Sequence, residues 1–554
     1  MRQEPTISTG PSQFRQIRLQ SLSQRQGGQA LVTAAMFCAI ASLIFVSVFT
    51  WAGNHGRMVR HEDEFLMAQY VAEAGVEKVF AAIRSNVNAT SVSPVQSTLN
   101  LYATNQLPNS SDNSFFANYR YVTSSGTSNM ITVTNTAASA TNAISSGTYA
   151  GLNALIMPYR IIARANSFGR PVNLTTGVQR DIQIQNIPIF QFAVFYNGDM
   201  EIEPGAPMTI SGQVHCNGTA YIAPNSTLTF QNPLTASIAV DDNPMPVDTH
   251  QPVYNSAVYD STVTTPVSPL TLPLGSSGNE HALIEPPPGS GTDPIATTRM
   301  YNQAGLIIKV SNSGVTAVNG SGSSVSGITV GSGKIINTSD SLYDYREGVN
   351  VQLTQLDISQ LMSAGKAPAN GIVYIYDVRT GYSETAIRLI NGNSLPSGGL
   401  TVVTENPMYI EGNYNSANDY PASVMADSVN ILSGSWNDAN SDHAMDSSHR
   451  VASSTTVDAA IFTGNVPTTA ASYSGGLENL PRLLEDWSSA TLTYNGSMVV
   501  YFSSETATGL WANASYNAPT RVWAFDNQFL NATKLPPGTP SIRNLTRVDW
   551  ASTQ

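Results

Sequence analysis

An uncharged apolar run over residues 30–51 constrains this chain more than any other feature. Its large side chains are separated only by small residues, single hydroxyls and one cysteine, Cys38. As a helix rising about 1.5 Å per residue it spans roughly 33 Å, which matches the hydrocarbon core of a bilayer. The run predicts a transmembrane helix, which we place at residues 29–52.

The residues before this run form a basic leader, residues 1–28. Four arginines and one glutamate occur there, so the leader carries a formal charge of 4 − 1 = +3. The positive-inside rule keeps such a segment in the cytoplasm and places the bulk of the chain outside it, in the periplasm of a bacterium. A cleaved secretory signal is the alternative, but its apolar core is usually only about 7–15 residues long.

The helical pattern continues past the predicted span. No proline occurs between Pro11 and Pro94, and apolar residues recur at spacings of three and four over residues 53–86. These residues are Phe65, Ala68, Ala72, Val76, Val79 and Ile83. We therefore predict one long helix, with its first half in lipid and its second half exported.

Two short motifs on this helix resemble the type IV pilin-like proteins. The first is Gly28 at the junction, followed by Gln-Ala-Leu-Val at the start of the span. The second is Ala72-Glu73-Ala74-Gly75 on the emerging helix, which resembles the signature of the PilX-like minor pilins. The resemblance covers about the first ninety residues.

The resemblance implies how the chain would be processed and assembled. A prepilin peptidase would cut after Gly28 and leave Gln29 as the new amino terminus, and other pilins or pseudopilins would bind the helix in the inner membrane. Major pilins carry glutamate at the fifth mature position, whereas Thr33 occupies it here. Minor pilins and tip pseudopilins resemble this chain in that departure, so a priming or tip role at the cell surface is the expectation.

The region that follows, residues 87–190, is expected to complete a pilin-like α+β unit. Residues 159–165 and 179–185 are two apolar segments separated by a turn, and the second alternates polar and apolar residues. Such alternation is typical of an antiparallel strand with one solvated face. We predict a small antiparallel sheet against which the exported half of the helix packs.

The remainder of the chain predicts a large β-rich domain. Residues 201–210 and 221–230 repeat one pattern at an offset of about twenty residues, which is typical of solenoid coils. We interpret residues 191–240 as the first coils of a parallel β-helix, and a β-sandwich of hairpins is the alternative. Residues 241–333, rich in Pro, Gly and Ser, are taken as an insertion with a hairpin near residues 306–310. Residues 334–554 are taken as further coils with a C-terminal cap, including an amphipathic helix over residues 478–487.

Composition excludes some classes of function. The net charge is −12, so the part beyond the +3 leader carries −12 − 3 = −15. Binding of nucleic acid requires clustered Lys and Arg, which such a surface lacks. Cys216 is the only cysteine beyond the span, so the exported part cannot form an internal disulfide.

Catalytic and metal-binding motifs are sparse. Asp438, Asn440 and Asp442 begin like a calcium loop, but His443 stands where an EF-hand requires glycine. We expect no enzymatic activity, cofactor or metal site. The conclusion from sequence is a PilX-like minor component of a type IV pilus or pseudopilus, with adhesion as a further hypothesis. The alternative is a membrane-tethered β-helix enzyme or adhesin that acts on surface polysaccharide through Asp442 and His449.

Overall fold

The computed structural model describes residues 28–89, 96–168, 170, 173–249, 254–274, 278, 280–446, 448–512 and 515–553. Residues 1–27 of the predicted leader therefore lie outside the described residues. The chain is mainly β, with one long helix at its N-terminal side and a large strand-rich domain after it.

The long helix, α1, runs without interruption over Gln29–Ala89, a length of 61 residues. This confirms the predicted continuity from the apolar run into the second half. A shorter helix, α2 (Gln96–Asn105), follows it, and the short helices α3 (Met300–Gln303) and α4 (Ile358–Ser363) occur later in the chain.

An antiparallel sheet covers the second half of α1. Its first five strands are β1 (Tyr119–Tyr121), β2 (Thr132–Asn135), β3 (Ala140–Ala143), β4 (Asn153–Ser167) and β5 (Thr175–Pro188). β4 pairs with β5 over twelve residue pairs, and β1, β2 and β3 pair with the other edge of β4. Ile161 and Ile182 pack with Val76 and Ile83 of α1 in one buried cluster, as the alternating pattern predicted.

Three sets of short parallel strands follow. They are β6 (Val194–Tyr196), β7 (Met200–Ile202), β8 (Met208–Ile210), β9 (Val214–Cys216), β10 (Ala220–Ile222), β11 (Leu228–Phe230), β12 (Leu234–Ala236), β13 (Val240–Asp241), β14 (Val258–Tyr259) and β15 (Val263–Thr264). Ile202 pairs with Ile222, and Ile210 pairs with Phe230. The repeat at an offset of twenty residues is therefore an in-register parallel pairing, with identical positions stacked and buried.

The second half of the stack contains strands of two to nine residues. They are β16 (Leu306–Ser311), β17 (Gly314–Asn319), β18 (Ile336–Asn337), β19 (Ser341–Asp344), β20 (Val349–Asp357), β21 (Ile372–Asp377), β22 (Glu384–Ile390), β23 (Leu400–Val403), β24 (Met408–Glu411), β25 (Ala422–Ala426), β26 (Val429–Leu432), β27 (Thr455–Asp458), β28 (Ala460–Asn465), β29 (Pro481–Leu483), β30 (Thr491–Gly496), β31 (Met498–Ser503) and β32 (Thr520–Phe525). Among these described strands, β16–β17 and the pairs of β18 and β19 with β20 are antiparallel, and the others pair in parallel. Hairpin pairing of the kind a β-sandwich needs is thus confined to a few places.

The two halves join through β6 and β31, which pair in parallel with Val194 opposite Met498. The result is an 11-stranded sheet in the order β15-β12-β9-β6-β31-β28-β25-β23-β21-β16-β17. The chain enters this stack in its middle, extends it in one direction to β15, crosses to the far end at β16, and returns to the middle at β31. We refer to the whole assembly of β6–β32 as the stack.

Two predictions about segments of the stack need correction. Residues 241–333 are only partly an insertion, because β14 and β15 pair with β11 and β12 and so extend the stack. Residues 478–487 do not form an amphipathic helix: a 3-10 turn over Leu477–Asn479 leads into β29, which pairs with β26. Burial of both faces of this segment leaves no solvated face for an amphipathic helix, and Pro481 is tolerated as the first residue of a strand.

The last strand, β33 (Ser541–Thr553), leaves the stack and pairs antiparallel with β5. Residues 541–553 therefore do not belong to the solenoid-like block predicted for residues 334–554. Ile542 is fully buried, and the Arg543 guanidinium donates to the Val87 carbonyl of α1 at 3.2 Å. The end of the chain thereby ties the stack to the antiparallel sheet and to the helix.

Candidate functional site

The first half of α1 is an apolar rod that no described residue covers. Between Leu31 and Trp51 its large apolar side chains are 53–75% exposed. Burying apolar surface outside water is favourable by roughly 25 cal/mol per Å², so a solvated rod of this kind is costly. This is the one described helix long and apolar enough to cross a membrane, and it is compatible with a single-pass membrane anchor.

Gly28 lies immediately before the helix. Its carbonyl accepts the backbone N–H of Val32 at 3.2 Å, so the first helical hydrogen bond already involves the residue at the predicted cleavage point. Thr33, at the predicted fifth mature position, donates its hydroxyl to the Gln29 carbonyl at 2.8 Å. The Thr33 hydroxyl thus finds its hydrogen-bond partner within the helix, and the side chain brings no charge into the apolar rod. Cleavage between Gly28 and Gln29 stays a prediction.

The Ala72–Gly75 signature lies where the helix meets the antiparallel sheet. Ala72 is fully buried, and the Tyr121 hydroxyl of β1 donates to the Val71 carbonyl at 2.7 Å. A Cβ atom placed on Gly75 would lie 2.5 Å from Cε1 of the Tyr121 ring. The small residues therefore admit an aromatic ring against the backbone of α1, which gives the signature a structural role within one chain.

The acidic residues of the same segment pair within the chain. Arg180 of β5 lies 3.7 Å from Glu73 and 3.6 Å from Glu77, and Arg547 of β33 lies 2.6 Å from Glu77. The carboxylates are partly exposed, and such pairs each contribute at most about 1 kcal/mol. They connect this face of the helix to β5 and β33.

The loop proposed from sequence as a weak calcium candidate is organised around an arginine. Asp438 accepts from Arg388 at 2.7 Å and from the Trp436 indole at 2.8 Å. Asn440 closes the 3-10 turn over Asp438–Asn440, and the Asp442 side chain is 72% exposed. A carboxylate already paired with a guanidinium is a poor ligand for a cation.

The histidines of that loop do come together. The His443 and His449 rings stack with centroids 4.2 Å apart, and His449 lies 3.0 Å from Asp446. Hydrogen bonds from His449 and Ser448 lower the pKa of Asp446. The group is surface-exposed and lies apart from the larger cavities of the stack.

A buried acidic group that sequence reasoning missed lies at β7 and just after it. Glu201 and Glu203 are 1% and 2% exposed, and with Asp248 they place carboxylate oxygens within 4.8 Å of one another. Glu478 joins them by accepting the Glu203 N–H at 3.2 Å. Burial, with the neighbouring acids, raises the pKa of Glu203 to about 9. The twenty-residue repeat could have revealed this group, since Glu203 stands at the position that the buried Ala223 occupies in the second copy of the repeat.

A second group gathers around His281. Its Nδ1 lies 2.6 Å from Glu285 and 3.8 Å from Glu505, and its Nε2 lies 3.1 Å from Asp427. Burial lowers the pKa of His281, but hydrogen bonds to Asp427 and Glu285 more than offset this and raise it to about 9. Sequence gave no signal for this group, because His281 and Glu505 are remote in the chain and His281 lies in the Pro- and Gly-rich segment.

Comparison with known proteins adds little to this geometry. No protein-family model matches the chain, and no curated protein matches it. Among solved structures, the chain is similar to the competence-associated pilin ComZ from Thermus thermophilus, with 11% sequence identity and a TM-score of 0.31 over 88% of this chain and 97% of ComZ. A TM-score of that size does not establish a common fold.

The C-terminal aromatic residues mostly serve the wall of the stack. Phe525 and Phe529 are 4% and 2% exposed within the main core, and Tyr516 donates to Asn479 at 2.8 Å. Trp550, on β33, is 41% exposed. Packing along the stack therefore accounts for Phe525 and Phe529, and Tyr516 packs partly buried against the same core.

Proposed function

We propose that this protein is a membrane-anchored, type IV pilin-like subunit that joins a pilus or pseudopilus through α1. One observation carries the proposal: a single unbroken helix is apolar and exposed over its first half and packs on an antiparallel sheet over its second half. Such a helix can sit in a bilayer and later pack with copies of similar helices, while its sheet holds the exported mass rigidly at the other end.

The basic leader supports the orientation of this proposal. With four arginines before the rod, the leader stays cytoplasmic and the stack lies in the periplasm. A prepilin peptidase then cuts between Gly28 and Gln29 at the inner membrane. Small residues on the rod, such as Ala34 and Ala41, allow close approach of partner helices.

A minor, PilX-like role with a priming or tip position follows from size and charge. The stack places a large domain on each subunit, which would crowd a fibre built from many copies. Thr33 brings no carboxylate into the rod, so this subunit does not need a neighbour's amine to neutralise a charge in lipid. A subunit used once or a few times, at the end of a filament, meets both conditions.

The stack itself is proposed to be a parallel β-helix. The in-register parallel pairs in three sheets, and the continuous apolar core that they enclose, support this description. We propose no catalytic activity for it: the acids singled out from sequence either bind Arg388, as Asp438 does, or lie exposed, as Asp442 does. Adhesion through the exported surface is compatible with this role.

The test is the amino-terminal sequence and intact mass of the protein from native membranes. The wild-type chain should begin at Gln29 and remain in the membrane fraction. Gly28→Val should abolish cleavage, whereas Gly27→Val, an equal change one residue earlier, should leave the new terminus at Gln29. A wild-type chain that keeps its leader would overturn the pilin-like assignment and leave a simple membrane anchor.

A further inference from the structure

The group around His281 lies where the two halves of the stack meet. His281 and Glu285 belong to the segment that crosses from β15 towards β16, and Glu505 follows β31. His281 and Glu505 line a cavity of about 570 Å³ next to the turn after β6. The site therefore brings together the crossing segment and the junction of the two halves at β6 and β31.

The three side chains present metal ligands of compatible type. The His281 Nδ1 and one carboxylate oxygen from each of Glu285 and Glu505 all lie within 4.8 Å of one another. Imidazole nitrogen with carboxylate oxygen is a ligand set for zinc and related transition metals, which bind at about 2.0–2.2 Å. The Glu505 side chain is 63% exposed, so it can close the short remaining distance.

Asp427 supplies the orientation that such a site requires. It is fully buried and accepts from the His281 Nε2 at 3.1 Å, while Nδ1 faces the two glutamates. A metal would replace the proton that Nδ1 shares with Glu285, since only a neutral imidazole nitrogen binds a metal. Histidines that bind metals usually donate their other ring N–H to a carboxylate in this way. Asp427 also accepts the backbone N–H groups of Glu505 at 2.6 Å and Ala507 at 2.8 Å, which positions the third ligand.

The cavity beside this group carries further acidic side chains. Asp199, Glu201 and Glu280 line it, so its charge favours a cation.

We propose that His281, Glu285 and Glu505 bind a divalent transition metal, with zinc as the fitting ion, and that Asp427 orients His281 for this purpose. The bound ion would hold the crossing segment against the junction of β6 and β31. Calcium and magnesium prefer sites made of oxygen ligands alone and would bind poorly to an imidazole nitrogen. The proposal is independent of the pilin-like function, because it rests on the stack alone.

The test uses the full-length chain in detergent, prepared without a histidine tag, stripped with a chelator and dialysed against zinc. Elemental analysis should find about one tightly bound zinc per chain, and thermal unfolding should shift upward with zinc, as linkage requires. Glu505→Gln should weaken zinc binding by at least about tenfold, and Asp427→Asn by about 10–100-fold, the range known for residues that orient ligands.

Glu280→Gln is the matched control, because it removes one charge from the same cavity without removing a ligand. It should bind zinc as the wild type does, and excess calcium should leave the zinc in place. Equal loss in Glu280→Gln and Glu505→Gln, displacement by calcium, or no zinc on the wild type would each overturn the proposal. Glu505 is exposed, so its variant should fold even where substitution of His281 does not.

Discussion

Replacing Gly75 by alanine tests whether the Ala72–Gly75 signature serves packing within one chain. The added Cβ would lie 2.5 Å from the Tyr121 ring, far inside the roughly 3.5–4.0 Å of an ordinary carbon contact. Tyr121 is 4% exposed and its hydroxyl is tied to the Val71 carbonyl, so the ring cannot move away without losing that hydrogen bond.

The magnitude combines three effects. Overpacking costs about 1–3 kcal/mol, and loss of the Tyr121 hydrogen bond costs about 1 kcal/mol. Alanine gains about 1 kcal/mol over glycine in a helix. The expected net loss of unfolding free energy is therefore roughly 1–3 kcal/mol. Each kcal/mol lowers the Tm of a domain of about 150–250 residues by about 2–4 °C.

The assay is thermal unfolding of the full-length chain in detergent, with hydrogen exchange over residues 71–79 and 119–122 to locate the effect. Gly56→Ala is the matched control, because nothing lies within 4 Å of a Cβ at that position of the same helix. It should be neutral or slightly stabilising. If Gly75→Ala is as stable as Gly56→Ala, the packing argument is wrong and a role between subunits becomes the better account of the signature.

Three further predictions concern stability. Arg482→Met should cost about 3–5 kcal/mol in a urea titration, because it strands the buried Glu347 carboxylate that Arg482 holds at 2.7 Å, and adding Glu347→Gln should recover much of the loss. Burial raises the pKa of Glu485 to about 7, so the stability that the protonated carboxyl contributes is complete below pH 4.5 and is lost as pH rises through 7. The unfolding free energy of the wild type relative to Glu485→Gln should therefore fall by roughly 3 kcal/mol between pH 4 and pH 8. A difference that stays constant with pH would contradict this. Deleting residues 541–553 uncovers the edge of β5 and should make the antiparallel sheet sensitive to limited proteolysis, while the apolar rod still holds the chain in membranes; unchanged resistance would show that β33 contributes little.

The elements that sequence predicted well share one property, which is a pattern repeated over neighbouring residues. The helix follows from spacings of three and four, and β4 and β5 follow from alternation around a turn. The repeat at an offset of twenty residues predicted which residues stack, and Ile202 does pair with Ile222. In each case the same short-range rule that shapes the segment also decides which side chains are buried.

The segment at residues 478–487 shows where local patterns mislead. Its spacing of apolar and charged residues is helical, but Glu478, Arg482 and Glu485 are all buried through specific partners. Glu485 accepts both the N–H and the hydroxyl of Ser433, and Arg482 binds Glu347. Burial of a charge depends on a partner elsewhere in the chain, which a pattern within ten residues does not contain.

Sequence by itself thus determined the apolar rod, its continuation as a helix, the antiparallel hairpin and the pairing of the twenty-residue repeat, since these depend on local periodicity and burial of one face. Only the tertiary structure decided that β6 pairs with β31, that β33 returns to the antiparallel sheet, and that Asp427 aligns His281 with Glu505. These pairings join residues far apart in the chain. The entropy of closing a loop grows only slowly with its length, so distance along the chain does not forbid such partners, and it does not reveal them.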